Sequence, residues 1–196
     1  MMDRKPGHLP RNVQTVSQSL MWIKLVGIGN SCCGKTCLIK HFCESKFNQG
    51  YQPTVGVDYG FKIQNIKGLD LRVHLWDLSG QSEYLDVRNE LYSQTDAVFL
   101  VFDITNQASF ENLDQWLREI VKYAMGHVAP EIVVVGNKVD LKSKRVVSLT
   151  EAKKWASSHK LLYYETSALT GEGIEKMFHE LLERVISKKH NIKIPS

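Results

Sequence analysis

The octapeptide Gly29-Asn30-Ser31-Cys32-Cys33-Gly34-Lys35-Thr36 follows an apolar run, Trp22 to Ile28, and leads into a helix-like stretch, Thr36 to Cys43. No other feature constrains the fold as tightly, because G-x-x-x-x-G-K-[ST] between a strand and a helix is a phosphate-binding loop. Glycines at both ends let the backbone curl until successive N–H groups, from Gly29 to about Cys37, face phosphate oxygens. The helix beginning near Lys35 adds the positive end of its dipole. Lys35 is expected to reach the β- and γ-phosphates, and Thr36 to place its hydroxyl on Mg²⁺.

Three further stations follow in order: Trp76-Asp77-Leu78-Ser79-Gly80-Gln81, Asn137-Lys138-Val139-Asp140 and Glu165-Thr166-Ser167-Ala168. The first ends a strand-like alternation of Leu69, Leu71, Val73 and Leu75, leaving Asp77 at a strand end, where a carboxylate can hold Mg²⁺ through water. Guanine differs from adenine in presenting two adjacent donors, N1–H and N2, that one carboxylate can accept. Asp140, after the apolar run Ile132 to Val135, is placed for that task, and a site whose carboxylate would be left unpaired rejects the wrong base. Asn137 would brace neighbouring loops and meet N7, Lys138 would lie along the base plane, and the Ala168 N–H would meet the base carbonyl, with Ser167 and Leu169 flanking it.

The 196 residues suit one domain and are too few for two of ordinary size. No apolar run approaches the ~18 residues of a membrane span. Cys32, Cys33, Cys37 and Cys43 crowd into one loop and helix, which is neither a disulfide framework nor a zinc-binding pattern, and a reducing cytoplasmic setting is expected. The net charge of +4 owes much to Arg4, Lys5 and Arg11 and to Lys188, Lys189 and Lys193 near the ends. No aromatic-basic interleave accompanies them, so nucleic acid is not an expected partner. Residues 1–20 lack the apolar core of a signal peptide and read as a flexible extension. The final residues contain no cysteine, so no lipid anchor and at most a peripheral membrane association is expected.

Strands are expected at 22–28, 57–66, 69–77, 97–102, 131–136 and 161–165. Helices are expected at 35–44, up to about 93, and at 107–125, 148–158 and 173–187, with Lys67-Gly68 as a hairpin turn and Ser148 to Glu151 as a capping box. This order predicts an α/β fold: a six-stranded, mostly parallel sheet with one antiparallel edge strand and helices on both faces. The domain is bounded at 21–187, with a basic tail over 188–196. In such sheets ligands lie beyond the strands' C-terminal ends, where every motif above falls.

Together the four stations resemble those of Ras-superfamily small GTPases, over about residues 22 to 187. Tyr51 to Tyr59 and Val101 to Phe110 are similar to Rab proteins. Val57-Asp58-Tyr59-Gly60, Asp86 to Tyr92 and Tyr163 to Ile174 are similar to the RJL (RBJ-like) branch, some of whose members carry a C-terminal J domain. No His-Pro-Asp triplet occurs in this chain, so it is not itself expected to be a co-chaperone. The resemblance implies a P-loop G domain that acts in signalling or membrane trafficking as a monomeric GTP/GDP switch. Its partners would be effectors, an exchange factor and a GTPase-activating protein. Thr54 would join Thr36 and Asp77 on Mg²⁺, the Gly80 N–H would meet the γ-phosphate, and Gln81 would orient the attacking water. Phe47 would pack on the guanine and Tyr51 would border the nucleotide. Segments 45–58 and 79–93 would order and release with the γ-phosphate.

Departures from the family pattern fall at Ser31-Cys32 over the phosphates, Leu78-Ser79 and Ser82 around Gln81, Leu169 beside the base, and Leu91-Tyr92-Ser93. Two readings therefore stand: a switch that hydrolyses GTP no faster than about 10⁻³ s⁻¹ unaided, since no arginine finger in cis is evident, and a GTP-stabilised binding module with negligible hydrolysis.

Overall fold

The computed structural model describes residues 20–46, 53–124 and 128–192. Its six strands are β1 (Met21–Ile28), β2 (Val57–Ile66), β3 (Leu69–Leu78), β4 (Ala97–Asp103), β5 (Glu131–Asn137) and β6 (Leu162–Thr166). They form one sheet in the order β2-β3-β1-β4-β5-β6, and only the β2–β3 pair is antiparallel. Lys67 and Gly68, both at positive φ (52° and 80°), make the two-residue turn between Ile66 and Leu69. That left-handed pair matches strand twist, as tight hairpins require.

β4 shows why the sheet must be covered on both faces. All seven of its residues are buried, and alternate side chains point opposite ways. Ala97, Phe99 and Val101 enter one core with Ile23, Leu25, Leu38, Phe42 and Phe178. Val98, Leu100 and Phe102 enter the other with Val26, Tyr92, Phe110, Trp116 and Ile120. The first core lies under α1 (Lys35–Glu44) and α6 (Ile174–Ile192), where Phe178 stacks on Phe42 at 4.1 Å. The second lies under α2 (Leu85–Leu91), α3 (Gln107–Glu111), α4 (Leu113–Tyr123) and α5 (Leu149–Ser158).

Two elements depart from expectation. The helix expected over 107–125 is two, α3 and α4, meeting at Asn112, whose carbonyl accepts from both Gln115 and Trp116 N–H. Phe110, Leu113 and Trp116 are all buried at a spacing of three, which suits a locally tighter winding. Helix α6 runs past Ile186 to Ile192, because its last turns are tied down. Lys188 reaches Glu131 at 3.0 Å, and Lys189 reaches Asp96 at 2.7 Å. The expected capping box at Ser148 is half formed, with Ser148 Oγ accepting the Glu151 N–H at 3.1 Å. Among the described residues no helix is long and apolar enough to cross a membrane.

Candidate nucleotide-binding site

The loop after β1 is shaped by three residues at positive φ: Gly29 at 137°, Cys32 at 65° and Gly34 at 92°. Gly29 has no substitute, since a Cβ there would collide with the Val101 carbonyl oxygen. Helix α1 then starts on Gly34 with no side-chain cap and no acidic residue in its first turn. Its first N–H groups therefore lack the intrahelical partners that interior turns have, the arrangement in which a helix start accepts an anion. By contrast α3 and α5 are capped by the Asn106 and Ser148 side chains. Lys35 is buried and folds back across the loop, its ammonium donating to the Gly29 and Asn30 carbonyls at 2.9 and 3.0 Å. Burial pulls its pKa down, and Asp77 opposes that.

Three oxygen donors converge beside it. Thr36 Oγ1 lies 3.1 Å from Thr54 Oγ1, Thr54 Oγ1 lies 3.1 Å from Asp77 Oδ2, and Thr36 Oγ1 also bonds Asp77 Oδ2. The second carboxylate oxygen, Oδ1, is buried without a hydrogen-bond partner. Burial pushes the Asp77 carboxyl up, while Lys35 and the two threonine hydroxyls pull it back. One carboxylate and two hydroxyls suit Mg²⁺, which keeps water and phosphate oxygens in its shell, and do not suit an all-protein cage. Accordingly, no group of three or more His, Cys, Asp or Glu among the described residues could hold a metal ion.

At the other end of the site Asn137 acts as a brace. Its Nδ2 donates to the Cys33 carbonyl at 2.8 Å, while Oδ1 accepts from Thr166 Oγ1 and the Ala168 N–H, each at 3.2 Å. It thereby ties the phosphate loop to the ends of β5 and β6. Asp140 is held by Ser167 Oγ at 2.5 Å, and Leu169 stands exposed beside it. Two groups expected at the base have partners within the protein. The Ala168 N–H is directed to Asn137, a 3.2 Å bond for which a base carbonyl would compete. The Lys138 ammonium is bound to Asp103 at 2.6 Å, leaving only its aliphatic stem to lie along a base.

A model of the Ras family matches residues 24–187. The chain belongs to the Ras family. Its fold is accordingly that of a P-loop GTPase, in a family that binds guanine nucleotide, typically with Mg²⁺. Among similar proteins, DnaJ homolog subfamily C member 27 of Rattus norvegicus is 37% identical over 172 residues, covering 86% of this chain and 63% of the relative. The Homo sapiens protein of that name is 38% identical over 172 residues, with the same coverage. DnaJ homolog subfamily C member 27-B of Xenopus laevis is 38% identical over 180 residues, covering 87% and 64%. The chain thus spans somewhat less than two thirds of the relatives it matches.

In this Ras-family domain the loop, Thr36, Thr54, Asp77 and Gly80 come together, and Asn137 links them to the Asp140 end. Gln81 sits at the rim with its side chain exposed and, among the described residues, without a hydrogen bond. Cys33 and Cys37 contribute backbone, since their thiols pack into or against the α1–α6 core, where burial pushes both thiols up. Phe47 and Tyr51 lie outside the described residues.

Sequence reasoning missed Arg88. Its guanidinium is buried, donates to the Ser79 and Gln81 carbonyls at 2.9 and 2.6 Å, and pairs through two nitrogens with Glu119 at 2.8 and 3.1 Å. Trp116, buried in the second core, also donates to Asn30 Oδ1 at 2.8 Å. A lone arginine in a polar helix carries no local signal of such a role.

Proposed function

We propose that this chain is a guanine-nucleotide switch that binds Mg²⁺-GTP, hydrolyses it slowly to GDP, and engages effectors through segments 45–58 and 79–93. The observation that carries the reading is the convergence of Thr54 with Thr36 and Asp77. Thr54 comes from the segment before β2, yet its hydroxyl lies against the two residues expected on the metal. A γ-phosphate and Mg²⁺ would hold it there, and their loss would free it. Gly80, packed on Ser31 and Gly29, would offer its N–H to the γ-phosphate, with Lys35 across the loop. In this reading Asp140, held by Ser167, selects guanine.

The DnaJ name of the relatives and the Asp86 to Tyr92 and Val57 to Gly60 segments support membership of the RJL branch. The lysines at the end of α6 are spent on Glu131 and Asp96 rather than presented to lipid, which favours a cytoplasmic protein that reaches membranes only through partners.

The other reading, a GTP-stabilised binding module, draws support from the unrestrained Gln81 side chain and from exposed Cys32 over the phosphate loop. One experiment separates the two: release the nucleotide from freshly purified protein by denaturation and identify it by ion-pair chromatography. The switch predicts near-stoichiometric GDP. Predominant GTP favours the binding module, and no guanine nucleotide, together with no uptake of added GDP, refutes both.

A further inference from the structure

We infer that Arg88 is a positioning residue that sets how strongly the pocket prefers GTP to GDP, by fixing the Ser79–Gly80 peptide plane and tying down the Gln81 carbonyl beyond it. The inference rests on the nucleotide-switch reading above. A trans peptide is planar, so the Ser79 carbonyl and the Gly80 N–H point in opposite directions as one rigid unit. Arg88 Nη1 holds the Ser79 oxygen at 2.9 Å and the Gln81 oxygen at 2.6 Å. With the Ser79 oxygen turned to Arg88, the Gly80 N–H is turned away from it. Gly80 itself packs against Ser31 and Gly29 of the phosphate loop.

The clamp is anchored outside the segment it controls. Arg88 Nε and Nη2 grip both Glu119 oxygens on α4, Tyr92 Oη donates to the same carboxylate at 2.8 Å, and the guanidinium lies 5.0 Å from the Trp116 ring. Trp116 in turn donates to Asn30 of the phosphate loop. Four directed bonds to two carbonyls and a carboxylate need the rigid fork of arginine; a lysine ammonium is a single point that cannot span both groups.

GDP lacks the phosphate that Gly80 would contact, so the clamp bears on GTP alone. The test measures the affinity of the full chain, with Mg²⁺, for GDP and for GTPγS by displacement of a fluorescent GDP. Arg88→Lys and Glu119→Gln should each lower the GTPγS-to-GDP affinity ratio about tenfold, the weight of a charge-assisted hydrogen bond, while GDP affinity stays within about twofold. Retained GDP affinity also shows that each variant is folded. Thr54→Ala, which removes the other expected response to the γ-phosphate, should lower the same ratio. A ratio that falls for Thr54→Ala but not for Arg88→Lys overturns the clamp and leaves the switch standing. Equal losses for both nucleotides also overturn it, by making Arg88 a packing residue. A ratio that no variant moves, or a parent chain that binds no GDP, overturns both.

Discussion

At the scale of single residues, the site divides into groups whose position follows from the chain nearby and groups held from afar. Gly29, Gly34, Lys35 and Thr36 were legible in the sequence because a tight loop between strand and helix dictates their geometry locally. Arg88 and Glu119, 31 residues apart, were not, because only the packing of α2 on α4 brings them together. Two substitutions test the legible part. Gln81→Leu should slow single-turnover GTP hydrolysis at least several-fold with nucleotide affinity little changed, and an unchanged rate would move the chain to the binding-module class. Asp140→Ala should weaken GDP binding by roughly a hundredfold or more, since it removes a carboxylate paired with two base donors. Equal competition by ATP and GTP against the unmodified protein would argue against that role for Asp140.

At the scale of elements, alternation revealed β3 and apolar runs revealed β1 and β5, whereas the end of α6 depended on distant partners. Lys188 meets Glu131 across 57 residues. Burial alone would raise the Glu131 carboxyl, but Lys188 and Arg184 together hold it below the usual carboxylate range. A depressed folded pKa means that this stabilisation is complete above the unfolded value and is lost as pH falls through the folded one. Urea unfolding should therefore show a decrement in stability on acidification below the ordinary carboxylate range that Glu131→Gln removes. At neutral pH the same variant should cost about 1 kcal/mol, as expected for a partly exposed pair. Deeper in the same layer, Phe178→Ala should cost about 3–5 kcal/mol, because the ring is wholly buried between Phe42 and Phe99.

At the scale of the whole molecule, ligand binding and stability are linked. A nucleotide that binds only the folded chain stabilises it by about 4 kcal/mol at a thousandfold excess over its Kd. Chelating Mg²⁺ in the presence of fixed GDP should lower the melting temperature if Thr36 and Asp77 hold the ion. An unchanged melting temperature would remove the metal from the site. The parent chain should also melt higher with GTPγS than without nucleotide, and Asp140→Ala should lose most of that gain.

Val57 pairs with Leu78, and the Ser79 N–H donates to the Gly56 carbonyl at 2.9 Å. The two segments that frame the phosphates are thus the two ends of a single hairpin, joined at its open mouth by one bond. Neither can swing far at its root without breaking that bond, so the switch reading predicts that the two roots open together. A reporter placed on either segment would read out both, and the exchange of the Ser79 amide hydrogen would clock the motion with no label at all.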